Sequence, residues 1–379
     1  MEFSEPRADA PKRRAFLGAN SPSGFISKFD QLADADDGWR LFVIKGGPGS
    51  GKSTLIRRVA AELENAGIDA EYIHCSSDAD SLDGAIFPEI KCAVADGTPP
   101  HAIEPRYPGA FESLICLNDC WNEDILTAAR EQIMALGSDI AACHRRCCRY
   151  LAAAAMLQNE IYQLAAAFTD AAKIERCAKG IFSREFSRRQ KRSPGREQLR
   201  FLSAVTNKGR VFFSETVAKT CDRAYLIDDE WGVSSRLLLI KLRALALCSG
   251  FDVISSYCPL SPYDRLEHLI IPELRLGFFT GNSRHTFDPH KLPSLAVHVI
   301  HAARFTDMEA LRRKRQRIAF TSKMSSRLIS EAEEQLSLAK KLHDELEKYY
   351  VSATDFDAVR LKGDELAEKL LAAARRGSR

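Results

Sequence analysis

Long hydrophobic runs are missing from this chain of 379 residues. No stretch approaches the roughly 18 apolar residues that read as a membrane-spanning helix. The charged amino-terminal segment lacks the apolar core of a secretory signal. A disulfide framework is also missing: the 11 cysteines are odd in number and scattered largely through apolar stretches. Proline is absent between residues 122 and 178, where Ala, Leu, Glu and Arg abound, so helices there meet no backbone breaker. What remains is ordinary for a globular chain, with 45% apolar residues, 28% charged residues and a net charge of +3. The length suffices for two domains with cores of their own.

Against that background residues 46–53 stand out: Gly46, Gly47, Pro48, Gly49, Ser50, Gly51, Lys52 and Ser53, followed by Thr54. The pattern is G-x-x-x-x-G-K-[ST], and its flanks are in the required order. Leu41–Ile44 is a short apolar run of the kind buried in a parallel sheet, and residues 55–63 have helical period, with Gly67 at the stop. Glycines let several backbone N–H groups converge on phosphate oxygens, and the helix N-terminus adds partial positive charge. The spacing therefore predicts ATP bound by Gly47–Thr54, with Lys52 on the β- and γ-phosphates and the Ser53 hydroxyl on Mg²⁺. A nucleotide site beside reduced cysteines makes the cytoplasm the expected compartment.

A second strand is expected over 70–75 and a third over 91–96, ending in Asp96 before Gly97-Thr98. An Asp at a strand's carboxy-terminal end beside such a loop is the Walker-B arrangement, so Asp96 joins Ser53 as an expected Mg²⁺ ligand and Lys52 as a catalytic residue. Asp78, Asp80 and Asp83 cluster at the same sheet edge, where one can position water or a second substrate and the others read as a solvated loop. No Glu follows Asp96, so the base of many motor ATPases is not visible there.

The chain then repeats itself. With Arg40 set against Arg223, Ile44 meets Ile227, Gly49 meets Gly232, Leu55 meets Leu238, Gly67 meets Gly250 and Cys75 meets Cys258. After one inserted residue Pro88 meets Pro272, Gly97 meets Gly281 and His101 meets His285. This is an internal duplication of a large globular unit. In the second copy Lys52 becomes Ser235, Ser53 becomes Arg236, Gly46-Gly47-Pro48 becomes Asp229-Glu230-Trp231 and Asp96 becomes Thr280. Asp229 and Glu230 are expected to repel an anion, so the second half keeps the fold and loses the nucleotide. A His kept in both halves reads as structural.

The runs KGGPGSGKSTL, HCSSDADSLDG and DGTPPHAIEPRYPGA resemble a poorly characterised family of bacterial tandem P-loop proteins known only as ATPases. The resemblance covers most of the chain and implies an ATP-binding P-loop protein of two related halves. Members often keep both loops intact, and this chain departs from them in its second loop.

Each half ends in helical segments, about 122–178 and 306–375, with Leu157 and Asp170 spaced as Leu342 and Asp355. A hairpin or short coiled-coil-like arm in each half is expected, serving as a lid, a dimerisation element or a protein-partner lever; the apolar spacing is too irregular for a heptad assignment. Cys143 and Cys147 share a helix face, conceivable as a metal site, although small apolar interface residues are the commoner use. Residues 173–200 hold ten Lys and Arg against three Glu, and a second basic stretch runs over 312–317. Both can meet nucleic-acid phosphates, but neither has the interleaved aromatics of a single-strand binder, so a solvated linker and helix face is favoured.

The resulting organisation is a P-loop NTPase core over 14–118, a helical arm over 119–183, a basic linker over 184–205, a degenerate core over 206–304 and a carboxy-terminal helical arm over 305–379. The expected fold class is α/β, a duplicated P-loop parallel sheet flanked by helices. The expected function is an Mg²⁺-dependent ATPase or ATP-driven switch. The alternatives are a small-molecule or nucleotide kinase, with Arg106 near the acceptor, and a nucleic-acid-binding ATPase.

Overall fold

The computed structural model describes residues 12–186, 193–282, 287–288 and 292–377. The first half runs through β1 (Arg13–Phe16), the ribbon β2 (Gly18–Ser21) and β3 (Gly24–Ser27), β4 (Arg40–Lys45), α1 (Lys52–Asn65), β5 (Glu71–His74), β6 (Leu82–Phe87), β7 (Cys92–Asp96) and β8 (Glu112–Cys116). It continues into α2 (Glu123–Ala128), α3 (Arg130–Ala166) and α4 (Ala171–Glu185). The second half repeats the plan: β9 (Glu197–Leu199), the ribbon β10 (Ser203–Thr206) and β11 (Gly209–Phe212), α5 (Ser214–Thr220), β12 (Arg223–Asp228), α6 (Val233–Cys248), β13 (Val253–Tyr257), β14 (Leu266–Ile271), β15 (Leu276–Gly281) and β16 (Ala296–His301). Helices α7 (Met308–Arg312), α8 (Arg315–Ala353) and α9 (Phe356–Gly377) close the chain.

Each half builds a six-stranded sheet, ordered β1-β5-β6-β7-β4-β8 and β9-β13-β14-β15-β12-β16. The two orders superimpose strand for strand. Backbone detail repeats too: Gly49 and Gly232 have φ of 66° and 74°, and Lys91 and Arg275, which are not glycine, have φ of 50° and 47°. Each of the latter ends a one-turn helix begun by proline, Pro88–Ile90 and Pro272–Leu274. The duplication is therefore present in three dimensions.

The sheets are mixed, which corrects the expectation of parallel ones. β6 and β14 run antiparallel to both neighbours, whereas β4 and β12 pair in parallel on both sides. β6 reads poorly as a strand because Asp83-Gly84 interrupts its apolar run. Gly84 is nonetheless required there, since a Cβ would stand 2.9 Å from the Val94 carbonyl oxygen.

The helical arms correct a second expectation. They are exchanged between the halves. α9 packs on α1, so Leu366, Ala367 and Leu370 complete the first core with Leu55, Val59 and Leu63. α4 packs on α6, so Ile174, Ala178 and Ile181 complete the second core with Leu238, Leu242 and Ala246. Matching backbone bonds fix both crossings: Asn122 N to Ala353 O, and Asp307 N to Phe168 O, each 2.8 Å. Between them α3 and α8 lie antiparallel, Trp121 bridging to Thr354 at one end and Thr169 to Thr306 at the other. Their seam is built of Cys143, Cys147, Leu151 and Ala154 against Ser325, Ile329, Ala332 and Leu336. The Ser325 hydroxyl donates to the Ala154 carbonyl across it at 3.2 Å. Small and polar seam residues hid the near-heptad spacing from a reading of hydrophobicity.

Much of the expected solvated linker is structured. Arg188, Arg189, Lys191 and Arg192 lie outside the described residues, as does His285. Residues 197–199 form edge strand β9, and Arg200 is buried with both guanidinium edges on Glu71, Nε to Oε1 at 2.7 Å and Nη2 to Oε2 at 3.1 Å. Arg200 therefore ties the halves together and is not offered to a nucleic acid. Among the described residues no helix is long and apolar enough to cross a membrane.

Candidate functional site

The first glycine loop joins β4 to α1 at the carboxy-terminal edge of the first sheet, with β7 beside β4. Gly49 and Gly51 take φ of 66° and 85°, the left-handed region that disfavours side chains. These two residues turn the chain so that α1 begins at Lys52 with Gly51 as its N-cap and no side chain capping it. Ser50 is fully buried and its hydroxyl donates to the Gly47 carbonyl at 2.8 Å, which tightens the loop.

Lys52 folds back over this loop. Its ammonium donates to the Gly46 and Gly47 carbonyls at 3.0 and 2.7 Å and stands 3.5 Å from Asp96 Oδ2. The other carboxylate oxygen of Asp96 accepts from the Thr98 backbone N–H at 2.9 Å and hydroxyl at 2.6 Å, which fixes the side chain. Ser53 Oγ accepts the Leu82 N–H at 2.9 Å, so the start of α1 is tied to β6. The sequence-selected Lys52 and Asp96 thus meet, while Ser53, next to Lys52 in the chain, has its hydroxyl on β6. Pro48 and Thr54 belong to the loop and the first helical turn.

The three acidic residues after β5 do not act as a group. Asp78 pairs with Lys340 of α8 at 3.4 Å, Asp80 with Lys208, and Asp83 with His101 Nε2 at 3.4 Å. His101 is 5% exposed and stacks on Phe29 with centroids 4.4 Å apart. Burial lowers the His101 pKa, but the adjoining Asp83 carboxylate outweighs it and the net direction is upward. His101 thus holds the segment after β7 onto the sheet. Arg106 is exposed, and its backbone N–H is bonded to Glu112 at 3.0 Å. Cys143 and Cys147 are buried in the arm and join no group of three close His, Cys, Asp or Glu among the described residues.

The degenerate loop is occupied by one of its own acidic residues. Asp229, 1% exposed, accepts hydrogen bonds from Trp231 N at 3.2 Å, Gly232 N at 3.0 Å, Ser235 N at 2.8 Å and Ser235 Oγ at 2.9 Å. Its carboxylate is the anion of this loop, held by backbone N–H groups at the start of α6. Arg265 lies against Gly232, where a Cβ would stand 2.9 Å from its Nη2. Gly46, the counterpart of Asp229, has no side chain to play this part, and a Cβ there would stand 2.7 Å from Ser50 Oγ.

Residues that the sequence reading did not select also reach the first loop: Trp121 from just before α2, and Tyr350 and Glu347 from the exchanged arm. A Cβ on Gly47 would stand 2.5 Å from Tyr350 Cε1 and 3.3 Å from Trp121 Cζ2. A Cβ on Gly49 would stand 3.0 Å from the Glu347 carbonyl oxygen. The Trp121 ring N–H is buried without a hydrogen-bond partner. Because the arms are exchanged, no spacing within the first half could have pointed to α8. A groove of about 610 Å³ between β8 and α9 is lined by Phe42, Leu114, Ile115 and Lys369 among others, and by no loop residue.

Searches of the chain against family models, curated proteins and solved structures give no match.

Proposed function

We propose that the first loop is a P-loop that binds Mg²⁺·ATP, and that the protein is an ATPase or ATP-driven switch with one competent and one degenerate half. The observation that carries this reading is the contrast between Asp229 and Gly46. One loop holds an anion supplied by its own chain. The other shares the left-handed glycine, Gly49 for Gly232, starts its helix two residues later, and puts a glycine where that carboxylate would be. It also adds a lysine, and nothing caps its helix. Such a cradle suits an external phosphate. The orphaned Trp121 N–H beside Gly47 is a further polar group suited to a ligand.

In this reading the loop N–H groups and Lys52 bind and orient the β- and γ-phosphates, which requires the ammonium to leave the Gly46 and Gly47 carbonyls. Ser53 and Asp96 are the residues that would hold Mg²⁺, which neutralises charge on the transferring phosphoryl group. The switch follows from the exchange: Tyr350 and Glu347 rest on the loop, and α8 carries any displacement there along α3 to the second half.

The test is ATP turnover by the full chain and by Lys52→Ala. The variant is expected to lose turnover by orders of magnitude. Wild-type hydrolysis in Lys52→Ala contradicts the assignment. Turnover that needs an added nucleoside, nucleotide or metabolite, and not water alone, converts the reading to a phosphotransferase.

A further inference from the structure

The last turns of α8 bring ionisable groups to the first loop. His343 Nδ1 lies 3.4 Å from Glu347 Oε1, the pair being one helical turn apart on one face. With Asp344 their polar atoms fall within 4.8 Å of one another. A Cβ on Gly49 would stand 3.0 Å from the Glu347 carbonyl oxygen and 3.1 Å from its Cβ, and His343 is one helical turn before Glu347 on the same face. An imidazole and a carboxylate are therefore delivered to the first loop from the other half.

The internal repeat gives a control. The equal spacing of Leu157 and Leu342 sets Gln158 against His343 and Tyr162 against Glu347. Gln158 Oε1 accepts from Arg265 at 3.5 Å, and the Arg236 guanidinium lies 5.0 Å from the Tyr162 ring centroid. Both positions thus face the second loop as His343 and Glu347 face the first. Packing an arm on a loop does not need an ionisable pair, since Gln and Tyr serve where Lys52 is replaced by Ser235. The His–Glu pair accompanies the lysine.

We propose that His343 is the general base for phosphoryl transfer at the first loop and that Glu347 is its positioning residue. The inference rests on the ATP-binding reading above. The oxygen of a water forms the new bond to the γ-phosphorus as the bond from that phosphorus to the β,γ-bridging oxygen breaks. The water proton passes to His343 Nε2. The electron pair of the broken bond stays on the bridging oxygen of the ADP that leaves, stabilised by Lys52. The Glu347 carboxylate, 3.4 Å from Nδ1, favours the tautomer protonated there and leaves Nε2 as the acceptor. Burial lowers the His343 pKa, Lys340 and Lys52 act in the same direction, and the Glu347 and Asp344 carboxylates oppose them. His144 of α3 also faces this imidazole, and Asp78 faces the neighbouring Lys340.

The experiment begins with an ATP-binding titration of the full chain and then compares His343→Gln, His343→Ala and Glu347→Gln. ATP affinity is expected to stay within about threefold while kcat falls roughly 10²–10⁴-fold for the His343 variants, the range for a lost general base. Imidazole in the buffer is expected to restore part of the His343→Ala rate. The acidic limb of the wild-type kcat/KM profile should vanish in both His343 variants. Wild-type kcat in those variants overturns the proposal, as does a parallel loss of affinity and turnover without imidazole rescue. A wild-type chain that binds ATP and turns none over in water overturns the general base and leaves the binding reading standing. A wild-type chain that binds no ATP overturns both.

Discussion

Tyr350 lies on Gly47 so closely that a methyl group at Gly47 would meet its ring at 2.5 Å. Tyr350 belongs to α8 and Gly47 to the loop before α1, so the contact joins the two halves at the candidate site. Gly47→Ala is expected to push the ring away and weaken ATP binding. Tyr350→Ala in the same chain should recover part of that loss, with a coupling of about 0.5–3 kcal/mol between contacting residues. Calorimetric affinities for the four chains measure it; additive effects contradict the contact.

The Arg200–Glu71 pair makes a prediction with a pH sign. Burial pushes the Glu71 pKa up, but Arg200 outweighs it and holds the group below its ordinary value. A depressed carboxylate stabilises the fold fully above its unfolded-state pKa, about 4.3, and the contribution is lost as pH falls through the folded-state value. Arg200→Met strands a buried carboxylate and should destabilise by about 3–5 kcal/mol at neutral pH. Without Arg200 burial raises the pKa of that carboxylate, so the gap from wild type should begin to narrow above its ordinary value of about 4.3 and be smallest below about pH 4, where the wild-type pair is lost as well. Urea unfolding at the two pH values checks this, and an unchanged gap sinks it.

Asp229 should be structural. Asp229→Ala removes four hydrogen bonds to a charged acceptor and leaves the start of α6 uncapped, for a loss of roughly 2–4 kcal/mol. Asp229→Asn keeps the shape and part of the bonding, so it should lose less. Neither should create a second ATP site, because Ser235 still stands where the lysine is needed. A denaturation midpoint of Asp229→Ala equal to wild type would remove the self-capping account.

The exchange of arms predicts an effect at long sequence distance. Leu370 is fully buried in the core built around α1. Leu370→Ala should cost about 2–5 kcal/mol. Hydrogen exchange should show the lost protection in α1 and the first sheet before it shows in α6. Loss confined to the second half contradicts the exchange.

Part of this was legible in the residues themselves. Gly46–Ser53 fixes its backbone locally, and the flanking strand and helix carry their own period, so Lys52, Ser53 and Asp96 could be selected before any fold was known. The duplication was legible through offsets such as Gly49 to Gly232. The antiparallel β6 was not, because Asp83-Gly84 reads as a loop while its fit depends on the Val94 carbonyl. The role of Asp229 was not legible either: charge alone suggests repulsion, and only the converging N–H groups of Gly232 and Ser235 make the carboxylate a ligand. The contribution of α8 was the least accessible, since exchange of the arms is decided by which core Leu370 or Ile174 fills, a tertiary matter.

The measurement that bears most directly on the central claim is the stoichiometry of ATP binding. Losing the lysine and the Asp96 carboxylate, with Asp229 in the cradle, removes charge-assisted contacts of about 1.5–3 kcal/mol each from the second half. At roughly 1.4 kcal/mol per tenfold, a micromolar site falls to the millimolar range or beyond. Titration calorimetry with Mg²⁺·ATP should therefore give one site per chain, and Lys52→Ala should take it close to zero. A second saturable site, or one that survives Lys52→Ala, contradicts the account.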